Sequence, residues 1–225
     1  MNRVYERRWL RFAKGGKMKY IGHLDLQKIF QSAIRRAKLP IAYSMGFNPH
    51  QRLSFALPLP VGMDSVCEYM ELLLDQPAEV MVLDTELPEG LRLLSAYKVS
   101  EKAPRPAAAV TAADYRLIFP KVFESKEYLQ KIIDASEIIM MKKTKSGEKE
   151  TDIRQDILAL EFDPVGAVMM RLSAGSARNL NPMLVAQRIF DDMGICPALN
   201  DVAIVRHEMY GNAHQLLVPL HEVAL

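Results

Sequence analysis

The sequence has few of the residues by which several classes of protein are recognised. Its 225 residues include two cysteines, Cys67 and Cys196, which are far apart and flanked by apolar residues. Their spacing fits no zinc site, and no CxxxCxxC run is present that would hold an iron–sulfur cluster. We therefore predict no metal site and no cofactor, and expect two buried thiols in a reducing compartment.

Long hydrophobic runs and targeting segments are also lacking. No apolar stretch approaches the ~20 residues that a membrane-spanning helix requires. The first twelve residues, MNRVYERRWLRF, lack the apolar core of a signal peptide. These two features predict a cytoplasmic protein.

Acidic residues are scarce in the first quarter of the chain. Residues 1–52 contain twelve Lys or Arg and two acids, a net charge of +10, whereas residues 53–100 have a net charge of −6. A segment this basic is typical of a protein that binds a polyanion. The alternative is a solvated surface that the neighbouring acidic segment neutralises.

Helical and strand patterns follow the same order in the two halves of the chain. In the first half, strands are predicted at residues 4–14, 41–43, 53–57, 69–74 and 91–98, and helices at 23–38 and 78–87. In the second half, strands are predicted at 114–119, 137–143, 152–162, 167–173 and 202–209, and helices at 125–135 and 182–193. Ser125 and Asn181 are the predicted N-caps of these last helices, and Gly194 follows the second.

The β-α-β-β-α-β order is typical of a ferredoxin-like domain. We therefore predict an α+β fold of two tandem ferredoxin-like halves. A basic N-terminal domain occupies residues 1–100, and a C-terminal domain occupies residues 107–225. The charged, proline-rich segment EKAPRP at residues 101–106 is the predicted linker. Each sheet has helices on one face, so the other face meets solvent, a partner or the other half.

The first strand places basic and aromatic side chains together. Tyr5, Arg7, Trp9 and Arg11 share one face because side chains alternate along a strand. On an open sheet such a face forms a stacking platform for single-stranded nucleic acid. Alternatively, Trp9 packs between the halves and the arginines surround that contact. The aromatic-rich signature of an RNA recognition motif is missing.

A glycine turn, GGKMKYIGHLDL at residues 15–26, joins this strand to the first helix. The start of the helix attracts phosphate through its N–H groups and dipole, and Lys17 and Lys19 add positive charge. The Walker spacing is absent, and the glycines alternatively serve only a tight turn. His23 at the helix start is a candidate general acid or base, although a lone histidine is more often structural.

The loop YSMGFNPHQRLSF at residues 43–55 combines turn residues with many hydrogen-bonding groups. A plain turn requires neither these groups nor Phe47, which we expect to be exposed. Ordered loops of this length often carry function, so we predict that it contacts a ligand or a partner. The alternative is a loop that folds back onto its own hydrophobic anchor.

The segment 20–69 carries a series of ordered motifs. They are Y-x-GHLDL, the pair Arg35-Arg36, LP-x-AYS-x-GFNP, SF-x-x-PLP-x-G and S-x-x-E-Y. This series resembles the radical-SAM-linked family, a domain of unknown function found fused to or encoded beside radical SAM enzymes. The resemblance covers roughly the first 100 residues. It implies a radical SAM enzyme as partner and transfers no catalytic residues to this chain.

These patterns predict a non-catalytic accessory protein that binds RNA, or presents a substrate, to a partner radical SAM enzyme. One alternative is a metal-independent endoribonuclease resembling CRISPR repeat-processing enzymes, with His23 as its catalytic group. Another is a protein-interaction scaffold without nucleic acid. The predicted residues for RNA or phosphate are Arg7, Trp9, Arg11, Lys17, Lys19, Gly22, Arg35 and Arg36. The predicted recognition loop comprises Tyr43, Ser44, Gly46, Phe47, Asn48, Pro49, His50 and Arg52.

Overall fold

The computed structural model describes residues 5–118, 126–144, 147–194, 196 and 202–224. Backbone contacts divide the chain into two units. Unit 1 comprises Met1–Val110 and Glu208–Leu225, and unit 2 comprises Thr111–His207. The C-terminal residues therefore belong to the same unit as the N-terminal ones. The predicted domain bounds, 1–100 and 107–225 with a linker at 101–106, stay a prediction.

The protein is of the α+β class, and its strands pair mostly antiparallel. The strands are β1 (Glu6–Lys14), β2 (Leu53–Phe55), β3 (Asp64–Leu74), β4 (Leu91–Lys98), β5 (Val110–Ile118), β6 (Ile139–Thr144), β7 (Gly147–Asp152), β8 (Ile157–Phe162), β9 (Val168–Ser173), β10 (Ala203–Ala213) and β11 (Leu216–Pro219). The α-helices are α1 (His23–Arg36), α2 (Pro106–Ala109), α3 (Lys126–Asp134) and α4 (Pro182–Met193). Short 3₁₀ helices lie at Gly16–Tyr20, Val80–Glu86, Arg154–Asp156 and Leu220–Ala224.

In unit 1 the strand order is β4-β1-β3-β2, and each neighbouring pair is antiparallel. Strand β10 also lies beside β3, and β11 pairs with β10. Strand β3 is buried along both of its faces, since eight consecutive residues from Cys67 to Leu74 contain only buried positions. The sheet of unit 1 is therefore covered on both sides along this strand.

The core of unit 1 forms where α1 packs on one face of this sheet. Leu26, Phe30 and Ile34 lie four residues apart on the helix and are buried. This spacing places them on one side of the helix. Phe30 meets Phe12 of β1 edge-on, with ring centroids 4.9 Å apart. Phe12 points towards α1, and side chains alternate along a strand. Trp9 and Arg11 of β1 therefore point to the opposite face.

Two elements of unit 1 differ from their predictions. The predicted helix at 78–87 is a 3₁₀ helix, Val80–Glu86. Its β-branched Val80, Val82 and Thr85 disfavour a regular α-helix. The side chain of Asp84 also accepts a hydrogen bond from the backbone of Leu93 at 2.6 Å. The predicted strand at 41–43 is reduced to isolated bridges with Leu74 and Gln51.

In unit 2 the strands follow the order β10-β5-β9-β8, with β5-β9 and β9-β8 antiparallel. Strands β6 and β7 form a separate hairpin. The prediction missed β7, and its strand at 152–162 is interrupted by a 3₁₀ turn before β8. Helix α4 has the predicted ends, because the Asn181 side chain accepts from Met183 N and Gly194 has φ 62°. The predicted cap Ser125 lies outside the described residues.

Among the helices that the structure describes, none has the length and apolar character needed to cross a membrane.

Candidate functional site

Trp9 does not belong to an open stacking platform, which corrects the prediction from the sequence. Its side chain is fully buried. Its indole nitrogen donates a 3.3 Å hydrogen bond to Glu71, which is 1% exposed. The sequence left open whether this face is exposed or packed, because covering residues that are distant in sequence leave no local pattern. Trp9 is consequently a core residue.

Arg7 organises the segment that was predicted as a linker. It forms an ion pair with Glu71, in which Nη2 lies 2.5 Å from Oε1. Its guanidinium also donates to four backbone carbonyls at 2.7–3.1 Å, namely those of residues 100, 101, 103 and 104. All three guanidinium nitrogens therefore have partners within the protein. These contacts favour a structural role for Arg7 over the predicted phosphate contact.

Arg11 belongs to a polar network that the sequence did not reveal. Its Nη2 lies 3.1 Å from Glu208 Oε2, and the Cys67 thiol donates to Glu208 Oε1 at 2.7 Å. Tyr69 Oη lies 3.5 Å from the same carboxylate and 3.0 Å from His221 Nδ1. About 140 or more residues separate the partners on β3 from those at the C-terminus. No sequence motif links positions so far apart.

In this network the Cys67 thiol and the Tyr69 hydroxyl are held in their protonated forms. Burial, followed by the nearby charge and hydrogen bond of Glu208, raises the pKa of the Cys67 thiol to about 12. Burial also raises the pKa of Tyr69, and the adjacent Cys67 and Glu208 add to this effect. A thiolate is the reactive form of cysteine, so Cys67 is not a nucleophile at neutral pH. The network therefore consists of hydrogen bonds and one ion pair around the half-buried Glu208.

The glycine turn is hydrogen-bonded to a second segment at Gly90, and Gly16 within the turn has φ +57°. Gly15 N donates to Gly90 O at 2.8 Å. A Cβ atom on Gly90 would lie 2.5 Å from the Gly15 oxygen, and Gly90 has φ +91°. Lys17 is exposed, whereas Lys19 Nζ lies 3.8 Å from Asp64 Oδ2. Phosphate binding by Lys17, Lys19 and Gly22, the N-cap of α1, stays a prediction.

The two arginines at the end of α1 have different surroundings. Arg35 is exposed and donates to Ser32 Oγ at 3.0 Å. Arg36 forms an ion pair with Glu86 at 2.9 Å and also donates to the backbone oxygen of that residue. Arg35 is thus the more accessible of the two for an external anion.

The ribonuclease alternative has His23 as its catalytic group. Its ring packs edge-on against Phe55, with centroids 5.2 Å apart. Among the residues that the structure describes, no group of histidine, cysteine and acidic side chains is arranged to hold a metal ion.

The predicted recognition loop is an ordered β-like hairpin, residues 42–52, which we call the 42–52 hairpin. Arg52 N donates to Ala42 O, and Ser44 N donates to His50 O, each at 2.8 Å. Ser44 Oγ accepts from His50 N at 3.0 Å and lies 2.8 Å from His50 Nδ1. Gly46 has φ +117° at the turn, a conformation that favours glycine. The polar residues of the motif therefore close the hairpin.

The base of the hairpin is fixed to the end of β3. Ala42 N donates to Leu73 O at 2.8 Å, and Leu73 N donates to Arg52 O at 3.1 Å. The Gln51 side chain is 4% exposed and donates to the backbone oxygen of Gln31, at the middle of α1, at 3.3 Å. Both strands of the hairpin thus rest on the framework of unit 1.

The tip of the hairpin is apolar and projects into solvent. Met45 is 92% exposed and Phe47 is 106% exposed. Asn48 and Pro49 complete the turn and are also exposed, and Tyr43 is 45% exposed. Large apolar side chains at full exposure on an ordered element are typical of an interaction site. We call residues 45–49 the hairpin tip.

The protein is thus of the α+β class, and a hairpin with an exposed apolar tip extends from its antiparallel sheet. The profile of a bacterial family, described as an uncharacterized protein conserved in bacteria (DUF2344), matches residues 7–182. The chain belongs to this family. The matched region includes the whole 42–52 hairpin and ends before Glu208 and His221. No curated protein matches the chain.

Proposed function

We propose that this chain is a non-catalytic accessory protein that docks on a partner protein through the hairpin tip. The observation that carries the proposal is the full exposure of Phe47, with Met45 beside it, on a hairpin closed by backbone hydrogen bonds. Burying such a side chain contributes roughly 1.5–3 kcal/mol. The Phe47 side chain gains this stabilisation only when another surface covers the tip.

The rigidity of the base favours docking by the tip. Binding costs free energy when loops and side chains must be ordered at the interface. In the 42–52 hairpin, the contacts with Leu73 and Gln31 already hold the backbone in place. An aromatic anchor presented this way resembles the residues that dominate many interfaces. We infer that Phe47 enters an apolar pocket on the partner.

The partner in this proposal is a radical SAM enzyme. The support is the resemblance of the motifs in residues 20–69 to the radical-SAM-linked family, because the GFNP part of that series forms the hairpin tip. The proposal assigns the radical chemistry to the enzyme and the presentation of a substrate to this chain. It includes a cytoplasmic location, where both proteins meet.

RNA binding is a second candidate, favoured by the cations that remain accessible. Lys17 and Arg35 are exposed within the basic first 52 residues. Trp9 and Arg7 take no part in this version of the hypothesis. Affinity that depends on such cations falls steeply with salt. A single-stranded RNA that binds equally at 50 mM and 300 mM salt, or does not bind at low salt, contradicts this candidate.

We also propose that each unit is ferredoxin-like. The orders β4-β1-β3-β2 and β10-β5-β9-β8 support this assignment. If the four strands of each unit are numbered along the sequence, strand one lies between strands four and three in both sheets. In unit 2 the β6–β7 hairpin is then an insertion. An experimental structure with a different strand order in either unit contradicts this assignment.

Co-purification tests the docking proposal. Tagged protein is co-expressed with a candidate bacterial radical SAM enzyme, and the complex is captured after nuclease treatment. Phe47→Ala is expected to lose the enzyme, whereas Leu24→Ala, which changes an exposed apolar residue on α1, is expected to retain it. Capture that is equal for both variants contradicts docking by the tip. Capture that nuclease abolishes favours the RNA candidate instead.

A further inference from the structure

A small cleft lies at the base of the 42–52 hairpin, within unit 1. Its volume is about 140 Å³. Pockets for drug-sized ligands span about 300–1,000 Å³, so this cleft has room for one small chemical group. We call it the basal cleft, and its lining residues are Ser44, His50, Gln51, Arg52, Leu53, Ser54, Leu73 and Arg105.

The lining of the basal cleft is basic and contains no carboxylate. Arg52 and Arg105 provide two guanidinium groups, and His50 provides an imidazole. Neither arginine forms an ion pair with any residue that the structure describes. Most other arginines of unit 1 do have acidic partners, including Arg7, Arg11 and Arg36. Two unneutralised arginines facing one cleft favour an anionic ligand.

The Arg52 side chain and the backbone that leads to Arg105 are held in place by other residues. The Arg52 guanidinium lies over the Tyr5 ring, with its carbon 4.7 Å from the ring centroid. Arg105 directly follows the carbonyls that Arg7 binds, the last of which is that of Pro104 at 3.1 Å. Arg7, predicted as a phosphate ligand, thus serves as a positioning residue for Arg105. Preorganised charges bind an anion with less ordering cost.

Two lining residues carry buried polar atoms without partners. Gln51 Oε1 and Ser54 Oγ form no hydrogen bond with any described residue. Gln51 Nε2 donates to the backbone oxygen of Gln31. Exchanging the oxygen and nitrogen of the Gln51 amide would place two oxygens against each other, so the assignment is fixed. The free atom is therefore an acceptor that lacks a donor, while Ser54 has a hydroxyl able to donate. Buried polar atoms of this kind are rare and costly in the absence of a ligand.

We propose that the basal cleft binds the terminal phosphate of a small phosphate monoester. Arg52 and Arg105 neutralise its anionic oxygens, and the Ser54 hydroxyl donates to one of them. The remaining P–OH of the singly protonated group donates to Gln51 Oε1. Phosphate monoesters have a second pKa near about 6, so this form is available close to neutral pH. The site uses different residues from the hairpin tip and goes beyond docking on a partner.

The test is a titration of the full chain with methyl phosphate at pH 6, followed by backbone amide NMR. Matched titrations use sulfate, which has the same shape without the proton, and dimethyl phosphate, which represents an RNA backbone. The proposal expects shifts at residues 44–54 and 105, with methyl phosphate binding about tenfold or more tightly than either control. Equal shifts with sulfate identify an unspecific anion site and overturn the proposal. Preference for dimethyl phosphate indicates the RNA backbone instead.

Three variants locate the site. Arg105→Ala and Ser54→Ala are each expected to raise the Kd for methyl phosphate about tenfold, since each removes a hydrogen bond to a charged group. Arg92→Ala removes an exposed arginine of unit 1 that does not line the cleft, and it is expected to leave the Kd unchanged. The amide spectrum of each free variant shows whether it is folded. A Kd that changes as much in Arg92→Ala as in Arg105→Ala, or in neither cleft variant, refutes the assignment.

Discussion

Replacing Arg7 by alanine distinguishes two roles for this residue. One is structural, and the other is the RNA-binding role that its position in the basic segment suggests. The side chain of Arg7 is 11% exposed, and that of its partner Glu71 is 1% exposed. Removing one member of a buried ion pair costs about 3–5 kcal/mol, because the other charge is left buried. The Trp9 indole still donates to Glu71, which places the expected loss near the lower limit of this range.

A loss of about 3 kcal/mol lowers the melting temperature by roughly 6–12 °C for a chain of this size. Thermal unfolding followed by circular dichroism measures the shift. Arg35→Ala is the control, because an exposed surface substitution is expected to change the free energy of unfolding by less than about 0.5 kcal/mol. The structural account fails if Arg7→Ala is as stable as this control. A loss of RNA affinity without a loss of stability would restore Arg7 as a phosphate ligand.

Three further predictions concern the core of unit 1. Gly90→Ala is expected to destabilise by about 2 kcal/mol or more in thermal unfolding, because its Cβ would lie 2.5 Å from a backbone oxygen. Gly62→Ala has a similar φ of +92° with open space around it, so an equal loss in both variants refutes the steric argument. Cys67, whose pKa is raised to about 12, is expected to stay protonated and unlabelled by a thiol reagent at pH 8 until the protein unfolds. The expectation of two buried thiols is wrong for Cys196, which is exposed and is expected to react. Rapid labelling of both cysteines contradicts this. Trp9 is the single tryptophan of the chain, so its fluorescence is expected to resist quenching by iodide and to be unchanged by RNA; strong quenching by RNA would restore the stacking platform.

Features that depend on neighbouring residues were accessible from the sequence. The apolar stripe of α1 and the ends of α4 at Asn181 and Gly194 follow from local spacing and capping. The exposure of Phe47 also followed from its position in a polar, turn-rich segment. The 3₁₀ helix at Val80–Glu86 could have been expected from its β-branched residues, because these lower the tendency to form a regular helix.

Features that depend on distant residues were not accessible. The burial of Trp9 requires knowledge of which segments cover the second face of the sheet. The contact of Cys67 with Glu208 joins positions 141 residues apart. The basal cleft includes Arg105, which lies more than fifty residues after the hairpin in the sequence. Arg7 binds backbone carbonyls of the segment just before Arg105. Compositional bias identified the basic segment correctly but did not distinguish its structural arginines from its accessible ones.

The affinity of the purified chain for a radical SAM enzyme, the class of partner that we propose, tests the central claim most directly. Calorimetric titration gives the Kd of the parent chain, of Phe47→Ala and of the matched surface variant Leu24→Ala. Loss of about 1.5–3 kcal/mol of apolar burial predicts a Kd that rises roughly ten- to a hundredfold in Phe47→Ala and stays constant in Leu24→Ala. An equal Kd for all three proteins, or no binding by the parent chain, would contradict docking through the hairpin tip.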